Sequence, residues 1–157
     1  MIVDFEGYEF ENNFFIKELA FYDPFGMSHW VSTFQSPFAL TSCKKRLVEN
    51  IEKQQLELHG LEWGSGQLSF SSQAQVVFSF SSNYQLFAQN AKKCQVLENI
   101  SNCTITDLSC LNMPAVYELP FGSFCSFHDS TKFSCALDKA VRMGQYFLNS
   151  YSKTLND

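Results

Sequence analysis

Basic residues are scarce in this chain of 157 residues, which has 11 Lys and Arg against 16 Asp and Glu and a formal net charge of −5. Non-specific binding to nucleic-acid phosphates is therefore expected to be weak, and any RNA site has to be local. Long apolar runs are also lacking, since none approaches the ~18 residues of a membrane-spanning helix. The first residues contain neither a basic segment nor a long apolar one, which argues against a secretory signal.

Six cysteines in a chain without a secretory signal indicate reduced thiols or metal ligands rather than a disulfide framework. We therefore expect a cytoplasmic or nuclear protein that does not enter a membrane. Hydrophobic residues make up 45% of the chain, and Phe alone occurs 17 times. This composition predicts one globular domain over residues 1–151, with an aromatic-rich core, and a loose polar tail at 152–157.

Hydrophobic periodicity predicts the element order β-β-β-α-(α)-β-α-β-α. The predicted elements are strands at 2–8, 14–22 and 29–34, helices at 39–58 and 69–80, a strand at 84–88, a helix at 91–100, a strand at 103–108 and a last helix at 134–150. Strand propensity is also high within 69–80, where a helix is favoured. Three consecutive strands form an antiparallel meander, and the later alternation adds parallel strands. The sequence thus predicts an α/β fold, a mixed sheet flanked by helices in the order of RNase H-like domains.

Several residues receive ordinary structural roles at this stage. The apolar face of the helix at 39–58 is predicted to consist of Leu40, Leu47, Ile51 and Leu58. His29, beside Trp30, and His59, at the end of that helix, are interpreted as surface or helix-terminus residues. Cys103 and Cys110 are interpreted as small buried apolar residues.

A group of metal-ligating residue types lies near the C-terminal end of the sequence. Cys125-Ser-Phe-His128 is followed after six residues by Cys135, directly before the last apolar-periodic segment. Two sulfur ligands and an imidazole at this spacing predict three ligands of a tetrahedral site that needs a fourth. The alternative is that both cysteines are core residues and the histidine lies at the surface.

This segment resembles the Cys/His segment of the Maelstrom domain family, an RNase H-like fold of the DEDDh 3′–5′ exonuclease lineage. The resemblance covers the chain in element order, but only the Cys/His segment is specific. It implies a structural zinc ion bound by Glu18, Cys125, His128 and Cys135, with Glu18 in the segment Ile-Lys-Glu-Leu-Ala of the second strand. A Glu on an apolar strand also requires a partner once it is buried.

The exonuclease lineage implies a two-metal active site, of which this chain keeps part. Asp4 and Glu6 fit the first motif, Asp-x-Glu, on one face of the first strand. The frames of the second and third motifs match less well, because Cys94 and Lys139 stand in the Asp positions and Ser134 stands in the His position. We therefore expect exonuclease activity to be lost, Lys139 to neutralise the carboxylates, and the pair of carboxylates to be a relic.

Two small basic clusters are candidate RNA contacts. They are Lys44, Lys45 and Arg46 in the first predicted helix, and Lys92 and Lys93 at the start of a later one. The alternative for such runs is a solvated helix face.

The resemblance implies work in small-RNA (piRNA)-guided transposon silencing, as a non-catalytic module that binds single-stranded RNA or a protein of that pathway. One alternative is a nuclease acting on single-stranded RNA. Another is a mobile-element- or virus-derived structural protein that forms a homo-oligomer. The apolar, irregular segment at 112–121 is the predicted place for a partner or a second copy.

Overall fold

The computed structural model describes residues 1–120, 122–129 and 131–154, which form a five-stranded mixed sheet and its flanking helices. The strands are β1 (Ile2–Phe10), β2 (Asn13–Asp23), β3 (Ser28–Thr33), β4 (Leu86–Ala88) and β5 (Ile105–Asp107). Their spatial order is β3-β2-β1-β4-β5. The first three strands are antiparallel, whereas β4 pairs in parallel with β1 and β5 pairs in parallel with β4. This arrangement confirms the predicted α/β fold with its meander and parallel strands.

Four α-helices flank the sheet within the described ranges: α1 (Lys45–Gln54), α2 (Gln73–Ser81), α3 (Ala91–Ser101) and α4 (Ala136–Thr154). The predicted element order is confirmed, including the helical state favoured over 69–80. The last helix is longer than predicted, and it continues into the tail that was expected to be loose. Residues 155–157 of that tail lie outside the described residues. None of the described helices combines the length and the apolar character needed to cross a membrane.

The alternation of side chains along β1 and β2 divides the sheet into two faces. The face that packs with residues of α2 and α3 carries Val3, Phe5, Leu19 and Phe21. The face that packs with α4 carries Ile2, Ala20 and Tyr22. Asp4, Glu6 and Glu18 share the alternation of this second face. Polar residues are therefore placed between the centre of the sheet and α4.

The first helix differs from the prediction at its C-terminal end. A π-turn over Gln55–His59 follows α1, and the amide of Gly60 donates to the carbonyl of Gln55 at 2.9 Å. Because a π-turn contains one more residue than an α-turn, His59 rather than Leu58 follows Ile51 on the buried face. His59 is 0% exposed and Leu58 is 52% exposed. His59 lies at the helix end, as predicted, but it is buried rather than at the surface. The predicted apolar-face position of Leu58 is wrong.

Three other sequence-based expectations have mixed outcomes. His29 is exposed, as predicted. Cys103 is partly buried against the core, but Cys110 is exposed and donates to the carbonyl of Asp107, so its predicted burial is wrong. The segment at 112–121 contains a short 3-10 turn, Val116–Glu118, within otherwise irregular chain. Its last residue, Phe121, lies outside the described residues.

Candidate metal centre and adjoining carboxylates

Four potential metal ligands from separate parts of the chain meet between β2 and α4. Glu18 lies in the middle of β2, Cys135 directly precedes α4, and Cys125 and His128 belong to the irregular segment between them. One ligand atom from each residue lies within 4.8 Å of the other three. His128 Nε2 is 3.2 Å from Glu18 Oε1, and Cys135 Sγ is 4.0 Å from the same oxygen. The four residues form a candidate metal-binding group.

The Glu18 carboxylate is oriented by the start of α4. Its Oε2 accepts a hydrogen bond of 2.7 Å from the amide of Ala136, the first residue of that helix. The first amides of a helix lack intrahelical acceptors and carry partial positive charge, so they favour a carboxylate. Glu18 is 0% exposed. The helix therefore supplies part of the compensation that this buried charge needs, and it leaves Oε1 directed toward His128 and Cys135.

The segment that carries Cys125 and His128 is attached to the rest of the protein on both sides. The amide of Gly122 donates to Asp138 Oδ1 at 3.0 Å, and the amide of Ser134 donates to the carbonyl of Leu58 at 2.8 Å. Gly60 has a φ of 67°, and a Cβ there would lie 2.6 Å from the ring of Phe133. A glycine is thus required for the segment to pack against the end of the π-turn.

Hydrogen bonds within the candidate metal group shift the pKa values of its members. The bond with Cys125 lowers the pKa of the Cys135 thiol to about 5, although burial opposes this shift. Burial by itself would lower the pKa of His128, but its hydrogen bonds to Cys135 and Glu18 outweigh burial and raise the pKa to about 10. A metal ion that binds here would have to displace the proton from His128 Nε2. His128 Nδ1 is buried and has no hydrogen-bond partner among the described residues.

Asp4 and Glu6 lie beside this group, and each contacts a lysine. Glu6 is directly opposite Glu18 in the β1–β2 pairing. It accepts hydrogen bonds from Lys139 Nζ and, at 2.8 Å, from Ser134 Oγ. The second carboxylate has a different partner from the one expected: Lys93 Nζ lies 2.5 Å from Asp4 Oδ1. Lys139 thus neutralises one of the two carboxylates, and Lys93 neutralises the other.

The two carboxyl groups respond to this environment in opposite directions. Burial alone would raise the pKa of Glu6, but Lys139 and Lys93 outweigh it and hold the pKa below its ordinary value. At Asp4, which is 0% exposed, burial outweighs Lys93 and Lys139 and raises the pKa. Asp4 Oδ2 has no hydrogen-bond partner in the described part of the chain.

Cys94 and Ser134 stand at two further positions where the resemblance predicts exonuclease motif residues. Cys94 is buried in the apolar cluster beneath α3, on the face of the sheet opposite to α4. Ser134 donates its hydroxyl proton to Glu6. Neither residue adds a carboxylate to Asp4 and Glu6.

The basic clusters predicted to contact RNA border the acidic turn between β1 and β2. Lys92 Nζ lies 2.8 Å from Glu9 Oε1, and Arg46 lines a shallow pocket together with Glu9 and Glu11. Lys93 is turned toward Asp4 instead of solvent. Acidic neighbours therefore offset much of this positive charge.

The other two members of the first basic cluster are exposed. Lys44 directly precedes α1, and Lys45 Nζ lies 3.6 Å from Glu49 one turn further along the helix. The exposed Lys45–Glu49 pair contributes little to stability. Lys44 and Lys45 are both exposed, and their side chains are therefore accessible to a ligand.

Lys17 is a buried cation that the sequence-based prediction missed. It is 1% exposed, and its Nζ donates to the carbonyls of Phe34 (2.5 Å), Trp63 (2.8 Å) and Ser65. Burial lowers its pKa to about 8. A lysine within the near-continuous apolar run of β2 was the available signal, because a buried amine requires several acceptors.

Comparison with known proteins adds no relative to this description, since no family model, no curated protein and no solved structure matches the chain. The resemblance to the Maelstrom domain stays a prediction that rests on the Cys/His segment and the element order.

Proposed function

We propose that this protein is a zinc-containing, catalytically degenerate exonuclease-like domain, similar to the Maelstrom domain, that acts as a binding module in small-RNA-guided silencing. Its ligand is single-stranded RNA or a protein of that pathway. The observation that carries this proposal is the pairing of both remaining first-motif carboxylates with lysines: Asp4 with Lys93, and Glu6 with Lys139.

The donor set of the candidate metal group favours zinc. Two thiols, an imidazole and a carboxylate suit a borderline-soft ion, whereas Mg²⁺ and Ca²⁺ prefer oxygen ligands alone. With bonds of about 2.0–2.3 Å, neighbouring donor atoms around tetrahedral zinc lie about 3.3–3.8 Å apart. The two separations measured from Glu18 Oε1, 3.2 Å to His128 and 4.0 Å to Cys135, lie close to that range.

The proposed zinc ion has a structural role. Four protein ligands would close its coordination sphere, and structural sites have this property whereas catalytic sites keep an open position. Glu18 belongs to β2, Cys135 adjoins α4, and Cys125 and His128 belong to the intervening segment. When bound, the ion would cross-link these three parts of the chain.

Loss of exonuclease chemistry follows from charge. Two-metal hydrolysis needs several carboxylates around two divalent cations. Here the ammonium groups of Lys93 and Lys139 already lie at hydrogen-bond distance from Asp4 and Glu6. A divalent cation placed there would repel both lysines.

A protein ligand is the second candidate, and it is favoured by exposed apolar residues at one end of the sheet. Phe25 is 62% exposed and Met27 is 78% exposed in the turn between β2 and β3. Phe25 also contacts Phe147 and Tyr151 of α4 edge to face. Exposed aromatic and Met side chains are enriched in protein interfaces.

The zinc part of the proposal is tested by metal analysis of protein purified without added metal. We expect about one zinc per chain in the native protein and a loss of zinc and thermal stability in Cys125→Ala. Cys110→Ala is the matched control, because Cys110 is exposed and lies outside the group. Native protein without zinc would contradict the proposal.

The binding part is tested with labelled single-stranded RNA in the presence of Mg²⁺ or Mn²⁺. We expect a retarded complex with intact RNA. Cleavage that Asp4→Asn abolishes would instead support the nuclease alternative. If RNA is neither bound nor cut, the protein-binding candidate is favoured, and a mass measurement in solution then tests the homo-oligomer.

A further inference from the structure

A cavity of about 500 Å³ adjoins the carboxyl end of β4 and the first turns of α4. This volume falls within the range of about 300–1,000 Å³ that is typical of small-ligand pockets. Its lining includes Gln89, Val116, Tyr117, Phe133, Ser134 and Lys139. Phe133 and Ser134 precede Cys135, so the segment that carries two of the proposed zinc ligands also forms one wall of the cavity.

The charges around this cavity are balanced. Lys139 is bonded to Glu6. Arg142, which also lines the cavity, donates from Nε to Asp138 Oδ2 at 2.6 Å and from a terminal nitrogen to the carbonyl of Leu119 at 2.7 Å. Each cation thus has an anionic partner, and a neutral ligand fits the cavity better than a phosphate does.

Gln89 gives the cavity a polar group that is free to bind a ligand. It directly follows β4 and is half-buried, and its side-chain amide makes no hydrogen bond to any described residue. A glutamine amide offers a donor and an acceptor side by side, and it pairs bidentately with the edge of adenine. The ligand therefore needs a complementary donor and acceptor on one planar edge.

Two aromatic side chains add apolar surface to the lining. Tyr117 is 82% exposed, and Phe133 is half-buried against Gly60. Stacking of unpaired bases on such rings is the usual source of affinity for single-stranded RNA when phosphate contacts are few. Acidic neighbours offset Lys92, Lys93 and Arg46, so phosphate contacts from the two basic clusters are limited mainly to Lys44 and Lys45.

We propose that this cavity binds the base of one unpaired adenine nucleotide, an inference that rests on the proposed RNA-binding function. Gln89 binds the polar edge of the adenine, and Tyr117 and Phe133 provide stacking surface. Because the lining cations are already paired, base binding releases few counterions and depends only weakly on salt.

The test compares three labelled RNA octamers: oligo-uridine, the same sequence with one central adenosine, and the same sequence with one abasic site at that position. Fluorescence anisotropy is measured at about 50 and about 300 mM salt. We expect the adenosine octamer to bind about tenfold more tightly than the abasic one, and Gln89→Ala and Tyr117→Ala each to remove most of that difference. Gln75→Ala, at an exposed position of α2, is the matched control and retains it.

The outcomes separate this inference from the proposed function. Equal binding of all three octamers, unchanged in Gln89→Ala, would overturn the adenine site and leave RNA binding in place. Absence of binding to every octamer would overturn RNA binding as well. Circular dichroism and zinc content of each variant establish that a lost difference does not arise from misfolding.

Discussion

Lys93 Nζ lies 2.5 Å from Oδ1 of Asp4, a carboxylate that is 0% exposed, and 4.9 Å from the centre of the Phe5 ring. This lysine was predicted to contact RNA. In the folded chain it forms a buried ion pair with Asp4, one of the two carboxylates that the resemblance assigns to the first exonuclease motif. The adjacent Lys92, in contrast, pairs with Glu9 at the surface.

The difference in burial between the two neighbouring lysines predicts different costs of removal. Lys93→Met leaves the buried Asp4 carboxylate without its partner, so we expect a loss of about 3 kcal/mol in the free energy of unfolding. Lys92→Met removes an exposed pair and is expected to cost less than about 1 kcal/mol. Urea unfolding measures both. Asp4→Asn combined with Lys93→Met is expected to recover much of the loss, and equal costs for the two single variants would contradict a buried pair.

Removal of the two lysines that contact Asp4 and Glu6 is predicted to create affinity for a divalent cation. In Lys93→Ala combined with Lys139→Asp, the carboxylates of Asp4 and Glu6 and the introduced one repel each other unless a cation binds. We expect this variant to be destabilised and about 1 mM Mn²⁺ to raise its melting temperature, because a ligand of the folded state stabilises it. The native protein is the control, and we expect no rise in its melting temperature from Mn²⁺ binding at Asp4 and Glu6. A Mn²⁺ shift in native protein that Asp4→Asn removes would mean that the lysines do not exclude the ion.

The sequence pattern predicted the element order well, because strand alternation and helical periodicity are local properties. The family resemblance placed Glu18, Cys125, His128 and Cys135 in one group, and the folded chain brings their ligand atoms within 4.8 Å of one another. This placement depended on a family resemblance, since spacing along the chain cannot reveal that a mid-strand residue meets a loop more than 100 positions away.

The errors arise where tertiary contacts override local patterns. The π-turn at the end of α1 buries His59 and exposes Leu58, the reverse of what helical periodicity predicts. No residue type in that stretch indicates an extra residue in the turn. Lys93 was predicted as a candidate RNA contact at the start of a helix, and its ion pair was not foreseen. Its ion pair depends on Asp4, 89 positions earlier in the chain. Periodicity alone reveals neither the π-turn nor this ion pair.

His59 is predicted to make stability depend on pH on the acid side. Its Nδ1 accepts a hydrogen bond of 3.1 Å from the amide of Leu61, and burial lowers its pKa from 6.5 to about 4. Because this pKa is lower in the folded state, the unfolded chain binds the proton more readily. The contribution is therefore fully present above pH 6.5 and is lost as the pH falls toward 4.

The size of this effect is roughly 3 kcal/mol, from a shift of about 2.5 pKa units. His59→Asn retains an acceptor for the Leu61 amide but does not titrate. Between pH 6.5 and 4, we therefore expect the free energy of unfolding of this variant to fall by roughly 3 kcal/mol less than that of the native protein. Other groups titrate alike in both proteins. His29→Asn is the matched control at an exposed histidine and should keep the native profile. Identical profiles for all three proteins would show that His59 is not held in its neutral form.

Lys17 is predicted to be essential for the loop that follows the π-turn. Its amine donates to the carbonyl of Phe34, directly after β3, and to the carbonyls of Trp63 and Ser65 in this loop. In the described part of the chain, no other side chain donates to all three of these carbonyls. Lys17→Met keeps the apolar stem but leaves the carbonyls without their charged donor. We expect a loss of about 3–5 kcal/mol. Lys53→Met, at a lysine whose side chain is 69% exposed, should cost less than about 1 kcal/mol. Denaturant unfolding followed by tryptophan fluorescence suits this comparison, because Trp63 belongs to the affected loop, and similar midpoints for the two variants would mean that the carbonyls find other donors.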